Sequence, residues 1–426
     1  MENHVAWASR PCIFPPPKTP STHPTHPPVF GYHSPVPVDD TESLPSLLST
    51  ADAAYHAGLA AEATLLYARV LHRDPFHPLS LRRLAWIEES AGRIPNAIGL
   101  LHRLIAVSPT DPKAHQHLGL CLLRVGKLTD AIECFRTATR LDPEYAAGFC
   151  NLGLALEDAG ETAASLHALR RANQLDPASD FIAYHLAAIQ TLAGQPETPP
   201  PICPPDYLVQ LFDGYADRFD AHLFDKLNYQ GPALLAEIVS GAGAIAPKPP
   251  WDVLDLGCGT GMTAVPFRES ARSVTGVDLS PRMLKHAATR RMPDGRLVYH
   301  ELIQADVMTA LNARPASADL ILSADVFIYI GDLHPVFTAV QTTLRPGGLF
   351  AFTVESNAGE QDYCLLPSRR YAHSQAYIER VASDYHFTCA AYRQCVLRQG
   401  DDGLPVNGTV YLLTRIPLVL ASPPSV

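Results

Sequence analysis

The sequence predicts a multidomain chain: an all-α solenoid of helical hairpins, then an α/β domain with a mostly parallel sheet. Three observations carry this. Pro75, Pro109, Pro143 and Pro177 recur at a strict interval, inside related phrases such as "HRDP", "RLDP" and "NQLDP". From Trp251 onward, short β-branched runs alternate with helical stretches, the pattern of an α/β sheet. Between the two lies "GQPETPPPICPPD", residues 194–206, a proline-rich stretch that reads as a semi-rigid linker.

The totals bound the answer. A chain of 426 residues holds two or three domains, and a hydrophobic content of 47% fills real cores. The formal net charge of −10 argues against broad nucleic-acid binding, which shows as a basic patch. Nine cysteines, scattered from Cys12 to Cys395 without a C-x-x-C pair, argue against a disulfide framework and against zinc sites, and for reduced thiols in a cytoplasmic setting. No stretch reaches the ~20 apolar residues of a membrane span. The N-terminus lacks the basic-then-apolar order of a secretion signal. Residues 1–42, rich in proline and histidine, are expected to form a disordered or polyproline II tail. Their histidines are irregularly spaced and match no known ligand pattern, so no metal is expected.

The repeat region, residues 43–193, has physical logic. With each proline at repeat position 32, the third unit gives Leu118, Gly119, Leu122, Ala131, Phe135, Ala138 and Pro143. The fourth gives Phe149, Leu152, Gly153, Leu156, Leu169, Ala172 and Pro177, and the second gives Leu84, Ala85, Ala97 and Leu101. The first, residues 44–77, matches only in its second half, at Ala63 and Tyr67. Small residues let two helices approach, large ones fill the space between units, and Gly126 and Gly160 suit the turns. This period and template resemble the tetratricopeptide repeat. The resemblance implies a peptide or protein partner on the concave face. The run Phe181–Leu192 is expected to cap the array.

In "WDVLDLGCGTGMTAVPF" a strand, Val253–Leu256, precedes Gly257-Cys258-Gly259-Thr260-Gly261, and a helix is expected from near Met262. The G-x-G-x-G spacing, headed by Asp255, differs from the dinucleotide fingerprint G-x-G-x-x-G, since Met262 stands at the third glycine's place. A strand over Val274–Val277 ends in Asp278, whose carboxylate suits two ribose hydroxyls at about 1.5–3 kcal/mol for a charged hydrogen bond. Ser280 is a helix cap, and Met283 reads equally as an adenine contact or as core. Asp306 follows a strand over Leu302–Gln304, a place that by itself suits a helix cap. Strand Leu320–Ser323 runs into Ala324, Asp325 and Val326; Leu349–Thr353 is a fifth strand, and Phe387–Leu397 with Thr409–Arg415 a final hairpin.

"VLDLGCGTG" and these features resemble class I S-adenosylmethionine-dependent methyltransferases, and with the repeats the subgroup of methyltransferases carrying tetratricopeptide repeats. The resemblance covers residues 207–416, with 417–426 left as a tail. It implies a Rossmann-like domain with a seven-stranded mixed sheet, S-adenosyl-L-methionine as cofactor, and methyl transfer to an acceptor that the sequence does not identify. The implied cofactor residues are Tyr215, Asp255, Gly257, Cys258, Gly259, Gly261, Asp278, Leu279, Met283, Asp306, Val307 and Ala324. The stretch "YLVQLFDGYADRFDAHLFDKLNY" is expected to be helical and to cover the cofactor, with Phe212, Tyr215 and Phe219 excluding water or simply packing.

Methyl transfer needs a base only when the acceptor must lose a proton. Catalytic candidates are His373, Tyr215, Asp325 and His222, with Tyr329, His334 and Tyr371 as further candidates for the base; each also reads as structural, and Glu355 is another pocket residue. His373 is favoured because its surroundings read as a loop. Two other classes stay open: a non-catalytic scaffold that only binds cofactor, and a nicotinamide oxidoreductase, against which the glycine spacing counts.

Overall fold

The computed structural model describes residues 42–243, 247–400 and 402–416. The tails expected at the two ends lie outside these, apart from Glu42. Contacts divide the chain into a first unit up to Ile182 and a second from Ala183.

The first unit is built of helical hairpins: α1 (Leu44–His56) with α2 (Ala60–Arg73), α3 (Pro78–Ser90) with α4 (Ile94–Val107), α5 (Pro112–Arg124) with α6 (Leu128–Leu141), and α7 (Ala146–Asp158) with α8 (Thr162–Leu175). Each recurring proline follows the second helix of a hairpin by two residues, where it ends the helix and forces the preceding residue out of helical conformation. Inside each hairpin a glycine takes the left-handed turn, with φ of 76° at Gly126 and 77° at Gly160. There the Lys127 N–H donates to Leu122 O at 2.9 Å, satisfying a carbonyl that the helix end leaves open.

The small residues do what their spacing implies. A Cβ on Gly119 would stand 2.5 Å from Cε1 of Phe135, and one on Gly153 2.7 Å from Cγ of Leu169. Phe135 and Leu169 are both fully buried, so neither can swing away into solvent. Ala85 and Leu101 hold the same pair of positions one repeat earlier and are buried likewise.

The run expected to cap the array belongs to α9 (Asp180–Leu192), which begins in the first unit and continues into the second. Its Tyr184, Ala187 and Ala188 cluster with Cys203, Leu208, Leu365 and Tyr371. Then come α10 (Pro205–Tyr215), a 3-10 turn at Ala216–Arg218, a π-helical turn at Ala221–Lys226 and α11 (Gly231–Ser240). The sheet follows: β1 (Trp251–Leu256), β2 (Ala271–Asp278), α12 (Pro281–Ala287), β3 (Glu301–Gln304), α13 (Val307–Asn312), β4 (Ala318–Ser323), α14 (His334–Thr343), β5 (Leu344–Ser356), β6 (Tyr363–Leu365), β7 (Tyr371–His373), α15 (Gln375–Asp384), β8 (Phe387–Gln399) and β9 (Pro405–Arg415).

Strands β3, β2, β1, β4 and β5 are parallel neighbours, and β9 lies antiparallel between β5 and β8. These seven form the expected mixed sheet. Two further strands make nine. β5 pairs with β4 only as far as Phe352 and continues to Ser356. The edge left open there is taken by β7, which pairs with Glu355 and Ser356 and with β6. His373 therefore sits on a strand and not in a loop. The helix expected near Met262 is also absent: only a 3-10 turn at Val265–Ser270 fits before β2, and Pro266 opens it. One face of the sheet packs Leu311, Val336, Phe337 and Val381 against Phe350 and Phe352, and the other packs Leu235, Val239, Phe267 and Ala287. No helix among the described residues is long and apolar enough to cross a membrane.

Overpacking a filled core costs about 1–3 kcal/mol. Gly119→Val is expected to lower stability by about that much, read as an earlier loss of helical circular dichroism in urea. In a Phe135→Leu background the same change should cost less, since the ring that blocks it is gone. Equal costs in both backgrounds would show that Gly119 is not there for the close approach.

Candidate functional site

The strand order reverses between β1 and β4, the position where open α/β sheets form a crevice at their carboxyl ends. The glycine turn occupies this position. Gly257, Gly259 and Gly261 have φ of 63°, 54° and 93°, in the region where a side chain is strained. A Cβ on Gly257 would meet Val326 at 2.3 Å, and one on Gly261 would meet Tyr299 at 2.8 Å. At Gly259 nothing stands closer than the Phe219 ring at 3.6 Å, so the turn is bare backbone there.

Asp278, at the tip of β2, fixes this turn. Its Oδ2 accepts from the Gly259 N–H at 2.8 Å and its Oδ1 from the Ser280 N–H at 2.8 Å. Burial pushes its carboxyl up to about 6, against the pull of these amides. The Cys258 N–H donates to Val277 O at 2.9 Å, a second tie between turn and strand. Asp255 is fully buried and accepts from the Tyr299 hydroxyl at 2.6 Å. Burial pushes its carboxyl up to about 7. Its Oδ1 has no hydrogen-bond partner among the described residues. A buried acceptor without a donor is costly, and it fits a site completed by a polar ligand.

The remaining residues expected at a nucleoside follow β2, β3 and β4 in the chain. Ser280 caps α12: its Oγ accepts from the Met283 N–H at 3.0 Å and donates to Asp213 at 2.5 Å. Met283 is buried at 1% exposure, and Leu279 packs with the Tyr184–Tyr371 cluster. Asp306 caps α13, accepting from the Thr309 N–H at 2.9 Å, and Val307 is the helix's first residue. Burial works to raise the Asp306 carboxyl, but bonds from Thr309 and Met308 outweigh it and hold it below the usual range. Ala324 follows β4 and is half-buried.

The covering stretch is anchored by acids that the sequence reading passed over. Asp213 accepts from Ser280 and, through its carbonyl, from Arg282 at 2.7 Å. Asp217 pairs with Arg282 at 2.5 Å and His286 at 3.2 Å. Asp220 accepts from Thr260 and pairs with Arg290. Spacings of four and three residues put these acids on one side of a helical path, and that signal was legible. The aromatic residues make the other side: the Phe212 ring lies 6.2 Å from Phe219 and 5.7 Å from Tyr329, and Tyr215 lies 5.4 Å from Phe219. Tyr215 and His222 are hydrogen-bonded, hydroxyl to Nδ1.

Beyond β4, Asp325 adopts a φ of 55°, a rare conformation for a residue with a side chain. Its carboxylate pairs with Arg398 of β8 at 2.5 Å and accepts from the Thr353 hydroxyl at 3.2 Å. Arg398 is buried at 2% exposure and also pairs with Glu355. No sequence signal connects Arg398 to Asp325 across 73 residues. His373 is buried at 2% exposure, with Nε2 placed to donate to Ile330 O at 2.9 Å and Gly331 O at 3.1 Å. Burial lowers its pKa to about 4, so its ring is neutral at ordinary pH.

Residues 254–352 match the family described as "Methyltransferase domain". Residues 48–114 match "Tetratricopeptide repeat" and residues 122–160 "TPR repeat". Among curated relatives, a ubiquinone biosynthesis O-methyltransferase of Cupriavidus pinatubonensis is 30% identical over 135 residues, 32% of this chain and 52% of the relative. A namesake from Idiomarina loihiensis is 32% identical over 101 residues, 24% and 41% of the two chains. A trans-aconitate 2-methyltransferase of Streptomyces avermitilis is 32% identical over 164 residues, 36% and 58%. The chain thus spans about half the length of these relatives. Among solved structures, a Burkholderia thailandensis 1,6-didemethyltoxoflavin-N1-methyltransferase is similar at 18% identity and a TM-score of 0.39, covering 52% of this chain and 94% of that one. Residues 254–352 are thus similar to a methyltransferase domain, and the residues before them to tetratricopeptide repeats.

Proposed function

We propose that the protein is an S-adenosylmethionine-dependent methyltransferase that acts on an unidentified acceptor, with its repeats holding a partner or substrate protein. One observation carries this: a bare glycine turn at the sheet's switch point, fastened to the Asp278 carboxylate and flanked by Asp255 Oδ1, which has no partner among the described residues. S-adenosylmethionine, when bound, supplies an activated methyl group on a sulfonium. Asp278 accepts from the ribose hydroxyls, Asp306 and the Val307 amide take the adenine edge, and the 257–261 backbone carries the rest. Phe212, Tyr215 and Phe219 exclude water from the cofactor and add cation–π attraction worth about 0.5–2 kcal/mol.

The cofactor brings its own reactivity, so the protein's main contribution is alignment, worth about 7–11 kcal/mol in favourable cases. Where the acceptor has a proton to lose, the hydrogen-bonded Tyr215–His222 pair takes it. Asp325, already paired with Arg398, orients the acceptor through a hydrogen bond. His373, neutral and buried, holds the Ile330–Gly331 backbone in place.

The partner side of the proposal rests on a groove of about 170 Å³ in the first unit, lined by Arg82, Trp86, Lys113, Gln116, His117 and Tyr145 among others. Gln116 Oε1 is buried without a partner among the described residues, as are both amide atoms of Asn151 one repeat later. Such atoms suit the backbone of an extended peptide. The scattered cysteines support a reducing, cytoplasmic setting.

Calorimetry with S-adenosylmethionine and with NADH tests the cofactor: only the former is expected to bind, and Asp278→Ala should weaken it at least tenfold, in line with the loss of a charged hydrogen bond. Tight binding of NADH alone would end the reading. The pH dependence has a defined sign. The Asp278 anion is the form that accepts from the ribose, and it titrates near 6. Affinity should be full above pH 7 and about tenfold weaker at pH 5, while Asp278→Asn should show little of this slope. Folding stability should move the other way. Asp255 and Asp278 are both raised, so each takes up a proton on folding between the ordinary Asp value of about 3.9 and its raised one. Their contribution therefore rises as pH falls through that window. Finally, labelled cofactor incubated with cell extract should give labelled product from the wild type and none from Gly259→Arg. His222→Ala should bind cofactor normally but transfer at least a hundredfold more slowly, the lower range for a lost general base. Absence of product from the wild type in every extract would favour a scaffold.

A further inference from the structure

Three side chains of the first unit converge on one point. Glu89 stands in the last turn of α3, and His117 and Cys121 are four residues apart on α5, which puts them on one helix face. A Glu89 carboxylate oxygen, a His117 ring nitrogen and Cys121 Sγ lie within 4.8 Å of one another. All three residues are buried, at 6%, 4% and 0% exposure. Their neighbours orient them. The Trp86 ring stacks on His117 with centroids 4.1 Å apart. Arg124 lies 3.3 Å from Glu89 Oε1, while the other oxygen, Oε2, meets His117 Nε2 at 2.6 Å.

We infer that this triad binds a zinc(II) ion. Carboxylate, imidazole and thiolate together make a mixed O, N, S donor set that suits a borderline-soft divalent ion. Bonds of about 2.0–2.3 Å to a tetrahedral centre separate donor atoms by roughly 3.3–3.8 Å, so the 4.8 Å envelope closes on the ion with small side-chain shifts. The ion replaces the proton between Glu89 and His117. The Cys121 thiol gives up its proton to solvent as the Zn–S bond forms. His117 ligates through Nε2, whose proton passes to solvent while Nδ1 carries the ring's one proton, and Glu89 contributes one oxygen while the other stays with Arg124. That second contact is the outer support that ligating carboxylates usually have. Three protein donors leave a fourth position for water or for a donor from a bound partner. His117 also lines the groove with Trp86 and Gln116, so the ion and a groove occupant share a residue. The site escapes a search for paired cysteines because its ligands come from two successive repeats.

The test uses the full chain, stripped with a chelator and titrated with zinc against a chromophoric competitor. One ion per chain is expected to bind at least tenfold more tightly than to the triple variant Glu89→Gln, His117→Asn, Cys121→Ser. The variant also reports any binding by the histidines of residues 1–42, which both proteins share. Cobalt(II) in the wild type should give a thiolate charge-transfer band that Cys121→Ser removes. Helical circular dichroism checks that the variants fold. If they do not, the wild type decides alone: zinc should raise its unfolding temperature and cobalt should show the thiolate band. Equal zinc binding by wild type and folded triple variant, or a wild-type cobalt spectrum without the thiolate band, would overturn the site and leave Glu89 and His117 as a buried hydrogen-bonded pair.

Discussion

The second unit depends on one carboxylate. Asp278 holds the Gly259 amide with one oxygen and the Ser280 amide with the other. The first bond sets the glycine turn against β2, and the second sets the start of α12 against the same strand end. The turn's three glycines offer no side chain to brace it, and each sits in a conformation that other residues avoid. Its shape must therefore come from backbone partners. The carboxyl resists ionising in its buried position, yet it is the anion that those amides favour. Structure and chemistry ask for the same charge state, and burial opposes both.

The covering stretch obeys the same geometry at a larger scale. Asp213, Asp217 and Asp220 reach hydroxyls and cations on the turn and on or just beyond α12. Phe212, Phe219 and Tyr329 pack edge to face on its other side. The acid contacts lie near water, where each ion pair is individually weak. The aromatic contacts supply area but little direction. Register comes from the acids and cohesion from the rings, and that division explains why a segment that passes from α-helical to 3-10 to π-helical geometry still has a defined place.

What the sequence made legible was what is encoded within one or two turns of chain. A repeat carries its own proline stop, turn glycine and small–large pairing, so the helical hairpins and their buried positions could be read off. The glycine turn and the acid at the next strand's end are likewise a local grammar. Three things were not legible. The helix expected near Met262 failed because too few residues separate Gly261 from β2, a constraint set by where β2 begins. The β6–β7 hairpin exists because β5 outruns β4, which is a property of two strands together. His373 looked like a loop residue for the same reason, since β7 is only three residues long. The Tyr299–Asp255 and Arg398–Asp325 contacts join residues 44 and 73 positions apart, and nothing in either local sequence announces the other.

The Arg398 group shows how such a distant contact shapes the site. One guanidinium faces two carboxylates, Asp325 and Glu355, in a place where Arg398 and Glu355 are nearly inaccessible to water. Buried ion pairs are poor stabilisers, since desolvation cancels most of the attraction. Losing one partner is a different matter: it strands a buried charge at a cost of about 3–5 kcal/mol. Removing Arg398 would strand two. The arrangement is therefore better understood as positioning than as stability. Asp325 sits in a left-handed backbone conformation that its side chain disfavours. Arg398 and Thr353 hold its carboxylate, and the Thr353 hydroxyl accepts its N–H at 2.9 Å. A residue kept in a strained conformation by partners from β5 and β8 has its direction fixed from outside its own strand. That direction is set at the carboxyl end of β4, beside the glycine turn that Val326 closes from above Gly257.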